Sequence, residues 1–206
     1  MGAGLAELTD EQLIVSCRGA SAERARSVVG ELARRHFERL AGFIHALVDD
    51  ATVAQDLAQE AFVRVYAHRE SYRDIGRFST WMFTIARNLA LNEVRNRRHR
   101  PALALDGSPN DSGPLSAVGA AAVATSAAPA DEVARGDLRA AVHQAIRELE
   151  EHHRAVVVLC DIEERPYAEA AEILGVPVGT VRSRLSRARE QLERRLRGLL
   201  PGGPHG

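Results

Sequence analysis

The chain has 206 residues with 27 basic and 28 acidic side chains, so its formal net charge at pH 7 is −1. No stretch approaches the roughly 18 apolar residues of a membrane-spanning helix, and the N-terminus lacks a signal-peptide pattern, so we expect a cytoplasmic protein without membrane insertion. Its two cysteines, Cys17 and Cys160, are too few for a disulfide framework or a four-cysteine zinc site, and we read Cys17 as half-buried and Cys160 as core.

Apolar spacing predicts three helices in the first hundred residues. The first helix buries a face formed by Val29, Leu32, His36, Leu40, Phe43 and Leu47. The second runs from Thr52 to Ala67 and places a polar stripe, Asp56, Gln59 and Glu60, opposite its apolar side.

The third helix runs from about Ser79 to Arg98 and follows a loop, Ser71 to Phe78, that has no helical period. Its buried side is expected to carry Met82, Phe83, Ile85, Ala86, Leu89, Ala90 and Val94.

Residues 101–130 interrupt the helical pattern. They hold ten Ala, four Pro, four Ser and three Gly, which is 21 of 30 positions. Such a segment buries too little apolar surface to offset its ordering entropy, so we predict a flexible linker.

The second half again shows only helical periods. The pattern predicts helices over 131–149, 153–160, 167–174 and 178–197, with a turn at 175–177. No strand-like alternation occurs, so we predict an all-α fold of two small helical domains joined by the linker, the C-terminal one a helix-turn-helix.

The strongest local signal lies in residues 167–185. Ala170 or Ala171 is small where two helices must approach closely, and Gly175 can adopt the positive φ that ends a helix. Pro177 suits the first position of the next helix, where no backbone donor is needed. This order of residues is typical of a helix that enters the DNA major groove.

The helix over 178–197 holds seven Arg and two Glu, a local charge of +5. Arginine offers a planar fork of donors that suits phosphates and base edges. The candidate DNA-reading residues are Arg182, Ser183, Arg184, Ser186, Arg187 and Arg189. The alternative is a solvated charged helix in an ordinary bundle.

The third helix of the first half carries a second candidate nucleic-acid surface. Trp81, Asn88, Asn92 and Arg95 share one helical stripe, which suits base-edge and single-strand contacts. Tyr72 and Phe78 in the preceding loop are predicted to stack on unpaired bases, and the loop itself, 71–79, to capture them. Trp81 taken alone fits core packing equally well, and the polar stripe of the second helix also fits a solvated face.

Three segments resemble a bacterial RNA polymerase sigma factor of the extracytoplasmic-function (ECF) type, group 4 of the sigma-70 family. Residues 179–189, GTVRSRLSRAR, resemble the helix that reads the promoter −35 element. Residues 56–62, DLAQEAF, resemble the region that grips the clamp helices of the polymerase β′ subunit. Residues 78–88, FSTWMFTIARN, resemble the segment that recognises and melts the −10 element.

The resemblance implies a factor that binds core RNA polymerase, through β′ and β, and directs initiation at promoter DNA. It implies that residues 1–100 dock on polymerase and open the −10 element, and that residues 131–200 read the −35 element. An anti-sigma factor is the further partner it implies. A sigma-like protein that titrates an anti-sigma factor, or a conventional helix-turn-helix operator binder, is the alternative.

No nucleophile–base pair, phosphate loop or acid pair is visible in the sequence, so we expect neither an enzyme nor a cofactor. His152 and His153 are adjacent, so their side chains should point about 100° apart on a helix. We therefore expect that they do not face one metal ion.

Overall fold

A computed structural model describes residues 4–73, 76–99, 138 and 140–197. Within these ranges every regular element is a helix, which confirms the all-α fold class. The helices before residue 100 form one compact unit, and most of the later ones form a second. No helix of this described part is long and apolar enough to cross a membrane.

The first unit contains four α-helices. These are α1 (Asp10–Ser16), α2 (Ala22–Val48), α3 (Ala51–Ala67) and α4 (Phe78–His99). α2 lies at the centre and packs against the other three. Its entire predicted inner face, Val29 to Leu47, is buried.

Short polar side chains define where these helices begin. Thr9 and Gln12 form a capping box at the start of α1, and Ser21 caps α2. α2 ends at Asp49, whose φ of 55° is left-handed. Asp50 then caps α3 by accepting a hydrogen bond of 3.0 Å from the Val53 amide. The turn between α2 and α3 is therefore two residues long, Asp49 and Asp50.

Burial in α4 follows the prediction closely. Met82, Phe83, Ala86, Leu89 and Ala90 are buried. The two remaining predicted core residues, Ile85 and Val94, are only half-buried. Cys17, which we expected to be half-buried, is fully buried at the end of α1.

The second unit contains a helix over 140–147, here α5, followed by α6 (Glu151–Val157), α7 (Tyr167–Leu174) and α8 (Val178–Leu196). The helix predicted over 153–160 is instead α6 followed by a π turn, Val158–Ile162. Because a π turn is wider than an α turn, it breaks the apolar register there. Leu159 stays buried, whereas Cys160, predicted as core, is half-exposed.

The helix-turn-helix matches its prediction in detail. Gly175 has φ +63°, and Ala170 and Ala171 are buried where the helices meet. Pro177 is the N-cap residue, one position before the first residue of α8 where we placed it. The linker predicted over 101–130 lies outside the described residues and stays a prediction.

Candidate nucleic-acid and partner interfaces

α8 presents one buried and one exposed face. Val181, Leu185 and Ala188 are buried against the rest of the second unit. On the opposite side the exposed arc consists of Arg182, Ser183, Ser186 and Arg187. Within the described chain, neither Arg182 nor Arg187 makes a hydrogen bond or ion pair, so both guanidinium groups are available to a ligand.

Two arginines of the predicted DNA-reading set, Arg184 and Arg189, are not part of this exposed arc. Arg184 is half-buried beside the exposed arc. Arg189 donates to Asp161 through Nη2 and Nε, at 2.5 and 3.2 Å from the two carboxylate oxygens. This carboxylate raises the pKa of Arg189 further above its usual range. Because the guanidinium is already held, we reassign Arg189 from a DNA contact to an ion pair within the unit.

The polar stripe on α3 lies on its outer face, as predicted. Asp56 and Gln59 are exposed, and Glu60 is half-buried. Glu60 accepts a hydrogen bond of 2.9 Å from Arg64 Nε one turn later. Asp56 is therefore the acid of this stripe that is most open to a partner's cation.

An apolar groove, which the sequence reasoning missed, runs between α2 and α3 beside this stripe. Its volume is about 350 Å³, and its lining is Arg26, Val29, Ala33, Phe37, Gln59, Phe62, Val63 and Tyr66. Val63 is 60% exposed, the most exposed large apolar side chain of the described residues. The signal in the sequence was this valine, which interrupts an otherwise polar face.

The aromatic rings before α4 do not offer faces to bases. Tyr72 is 2% and Phe78 0% exposed. The Tyr72 ring lies 5.2 Å from that of Trp81, and its hydroxyl donates to the Gly76 carbonyl at 3.0 Å. A buried ring cannot stack on a base, so the predicted base-capturing role of Tyr72 and Phe78 is corrected to core packing.

The remaining −10 candidates lie at or near the surface. Trp81 is half-buried, at the edge of the core, and Asn88, Asn92 and Arg95 are exposed. Arg95 Nη2 donates to Asn92 Oδ1 at 2.6 Å, so these two side chains form one unit. Asn88 Oδ1 accepts from Arg87 Nη1 at 3.2 Å.

One arginine near the end of α4 is already engaged in contacts within the first unit. Arg97 donates to Glu93 at 2.8 Å and to Asp50 at 3.2 Å. The contact with Asp50 fixes the end of α4 to the start of α3, while that with Glu93 lies within α4, so Arg97 is a structural residue.

Glu150, His152 and His153 form the one cluster of three metal-ligating groups found among the described residues, with ligand atoms within 4.8 Å of one another. The two imidazole rings lie 4.2 Å apart, closer than an angle of about 100° between them suggests, and the expectation that they do not share a metal ion stays a prediction. Burial, and next the neighbouring His152, lower the pKa of His153. Arg184 and Arg187 act on His153 in the same direction, and their positive charges oppose a bound cation.

Comparison with known proteins accounts for both units. The profile of Sigma-70 region 2 matches residues 32–100, and that of Sigma-70 region 4 matches residues 139–192. The chain is 38% identical to the ECF RNA polymerase sigma factor SigW of Bacillus subtilis over 71% of this chain and 76% of the relative. It is 35% identical to the RNA polymerase sigma-H factor of Pseudomonas aeruginosa over 82% of this chain and 86% of the relative.

A solved structure shares the fold. It is the sigma factor RpoE in complex with the anti-sigma factor NepR from Bartonella quintana, with a TM-score of 0.59 and 22% identity. The match covers 82% of this chain and 96% of that one.

Proposed function

The chain belongs to the sigma-70 family as a sigma factor of the extracytoplasmic-function type, and from this premise we propose how its two units divide promoter recognition. The factor binds core RNA polymerase and directs promoter-specific initiation of transcription. We assign polymerase docking and the −10 element to residues 1–100, and the −35 element to residues 131–200, with 101–130 as the tether.

The observation that carries the −35 assignment is the exposed arc of α8. Arg182 and Arg187 stand on the face opposite the buried stripe, with Ser183 and Ser186 between them. An unpaired guanidinium on a helix in the major groove donates two hydrogen bonds to O6 and N7 of guanine. Arg184, at the edge of the arc, is placed to contact the phosphate backbone instead.

We assign polymerase docking to the outer face of α3. The free carboxylate of Asp56 suits a basic group, and the Gln59 amide stands between the polar stripe and the apolar groove. Charge gives orientation and rate of encounter, and a few side chains packed into desolvated pockets give most of the affinity. A partner helix that inserts an apolar side chain beside Val63 and places a cation at Asp56 fits both the apolar groove and the polar stripe. We expect the clamp helices of polymerase to bind in this way.

We assign −10 recognition to the surface around the start of α4. The described exposed residues of the loop are Ser71, Arg73, Gly76 and Arg77, and Trp81 borders them. Arg73 and Arg77 supply cations for the displaced strand, while Asn88 and the Asn92–Arg95 pair follow along α4. Base stacking falls to Trp81, the aromatic residue here that is half-buried rather than buried.

An anti-sigma factor is the further partner we propose, and the cytoplasm, where polymerase and promoter lie, is the compartment. The structural relative RpoE is solved with the anti-sigma factor NepR. In this chain the apolar groove between α2 and α3 suits an inhibitor, because covering it also covers the stripe assigned to polymerase.

The test is transcription in vitro with core polymerase on genomic fragments, followed by sequencing of transcript starts. Starts that share −35 and −10 sequences, and that core enzyme alone does not give, are the expected result. A gel shift of promoter duplex separates the alternatives, because an operator binder shifts DNA alone, whereas this factor requires polymerase. Absence of starts above the core-only background would contradict the assignment.

A further inference from the structure

We propose that Glu11 and Arg18, in and just after α1, are positioning residues for promoter opening, because they hold the two ends of the loop that precedes α4. The inference rests on the proposed role of that loop at the −10 element. Neither residue is expected to touch DNA. Their task is to fix the backbone from which Arg73 and Arg77 project.

The first end of the loop is held by the turn that follows α1. The Arg18 guanidinium donates through Nη2 to the backbone carbonyl of Tyr72. Immediately after it, the Gly19 amide donates to the Glu70 carboxylate, at 3.2 and 3.3 Å from its two oxygens. Gly19 has φ +63°, a conformation that favours glycine, so this turn is specified by the sequence.

The second end is held by α1 itself. The amide of Phe78, the first residue of α4, donates to Glu11 Oε1 at 3.2 Å. The first amides of a helix have no partner within the helix, and they carry its positive dipole end. Glu11 therefore caps α4 from another element, with a full negative charge at the favourable end.

The contacts of Arg18 with Tyr72 and of Glu11 with Phe78 together form a brace for the loop. This brace is rigid because α1 is itself fixed to the core. Asp10 Oδ2 lies 2.6 Å from His36 Nε2, and Asp10 Oδ1 accepts from Arg35 at 3.0 Å. Arg35 also donates to the Leu8 carbonyl at 2.8 Å, just before α1. The ring of His36 lies 6.0 Å from that of Phe78. The loop is thus held by backbone atoms at its two ends, and by α2 behind it.

Fixing the two ends of the loop lowers the cost of opening DNA. Ordering a loop residue costs backbone entropy, and binding groups that are already positioned avoid part of that cost when the strands separate. Removing one brace should slow opening of duplex promoter without weakening polymerase docking, since α3 is not involved. A hydrogen bond contributes about 0.5–1.5 kcal/mol net, which corresponds to a loss of roughly two- to tenfold.

The experiment compares wild-type holoenzyme with holoenzymes carrying Glu11→Ala, Glu11→Gln or Arg18→Ala. The template is a promoter that wild-type holoenzyme uses, supplied either as a duplex or with a pre-melted bubble. Permanganate reactivity of its −10 thymines reports promoter opening. We expect opening of the duplex to slow two- to tenfold in both alanine variants. Wild-type behaviour is expected on the bubble. Glu11→Gln keeps an acceptor but loses the charge, so its opening rate on the duplex should lie between those of Glu11→Ala and wild type. Glu7→Ala and Arg24→Ala, at exposed positions outside the brace, are the matched controls.

Amide hydrogen exchange separates positioning from general stability. In both alanine variants, exchange should rise in peptides covering 69–80 and stay unchanged in those covering α2 and α3. Normal opening by both variants, an equal loss on duplex and bubble, or faster exchange throughout the first unit would each overturn the proposal. If wild-type holoenzyme itself opens no promoter, the proposed function fails, and the brace is not the cause.

Discussion

Asp161, in the π turn, holds Arg189 on α8 with both carboxylate oxygens, the shorter contact being 2.5 Å. The pair joins the segment that precedes the helix-turn-helix to α8, the helix that we assign to the −35 element. It adds a polar contact on the exposed side of α8, whose rotation about its axis is set by the buried Val181, Leu185 and Ala188.

Arg189→Ala should act on stability before it acts on DNA contacts. The side chains of Arg189 and Asp161 are 55% and 29% exposed, and pairs this exposed contribute about 0.2–1 kcal/mol. We expect urea unfolding to show a loss of that size, with little change in the salt dependence of promoter binding. Arg194→Ala, at an exposed position farther along α8, is the control. A salt slope reduced by about one, with unchanged stability, would return Arg189 to the phosphate contacts.

Arg187→Ala should relax −35 preference at one or two base pairs. Losing a bidentate contact to a base costs about 1–3 kcal/mol of discrimination. Competition between the cognate promoter and variants substituted at each −35 position measures this on holoenzyme. Equal weakening on promoter and random DNA would show instead that Arg187 contacts phosphate.

Asp56→Arg should weaken binding to core polymerase while leaving the helices intact. The carboxylate is exposed and makes no contribution to the core, so circular dichroism should not change. Gln55→Arg adds a positive charge at the neighbouring exposed position and should have a smaller effect. Fluorescence anisotropy of labelled factor titrated with core enzyme gives the affinities. Equal losses in the two variants would indicate a general charge effect rather than a docking contact.

Phe78→Ala should destabilise the first unit by about 3–5 kcal/mol, the usual cost of truncating a buried phenylalanine. Arg73→Ala should leave stability unchanged and reduce promoter opening, because Arg73 is exposed on the loop. Thermal unfolding and permanganate reactivity together distinguish the two. A Phe78→Ala protein of wild-type stability that fails to open promoters would restore the role in base capture.

Acid should destabilise the second unit through His153. Burial lowers its pKa in the folded chain, so the unfolded chain binds more protons near pH 6. The stability is fully present above the unfolded value of about 6.5 and falls as the pH drops through it towards the folded value. His153→Gln should unfold with a smaller change in midpoint between pH 7.5 and 5.5. His68→Gln, at an exposed histidine, should behave as wild type.

Much of the fold was predictable because the signals are local. The apolar face of α2 has a regular helical period, and in the helix-turn-helix the positive φ of Gly175 follows from glycine itself. The exposed arc of α8 follows from the same periodicity. These features depend on the order of neighbouring residues and on little else.

The errors concern contacts between distant residues. Periodicity cannot show that Asp161 reaches Arg189, or that Tyr72 folds back onto Trp81. A helical-wheel projection of α3 separates Val63 from the core. It cannot show that α2 forms the other wall of the apolar groove beside Val63. Likewise, the brace of the loop by Glu11 joins residues 67 positions apart.

The two-residue turn at Asp49 and Asp50 has a consequence for how the chain is made. It joins α2 and α3 with almost no loop to close, so their contacts form between residues near in sequence. Proteins rich in such local contacts fold in microseconds to milliseconds, whereas a ribosome adds about 5–20 residues per second. The α2–α3 hairpin therefore has time to form as it emerges, before α8, which we assign to the −35 element, has been synthesised.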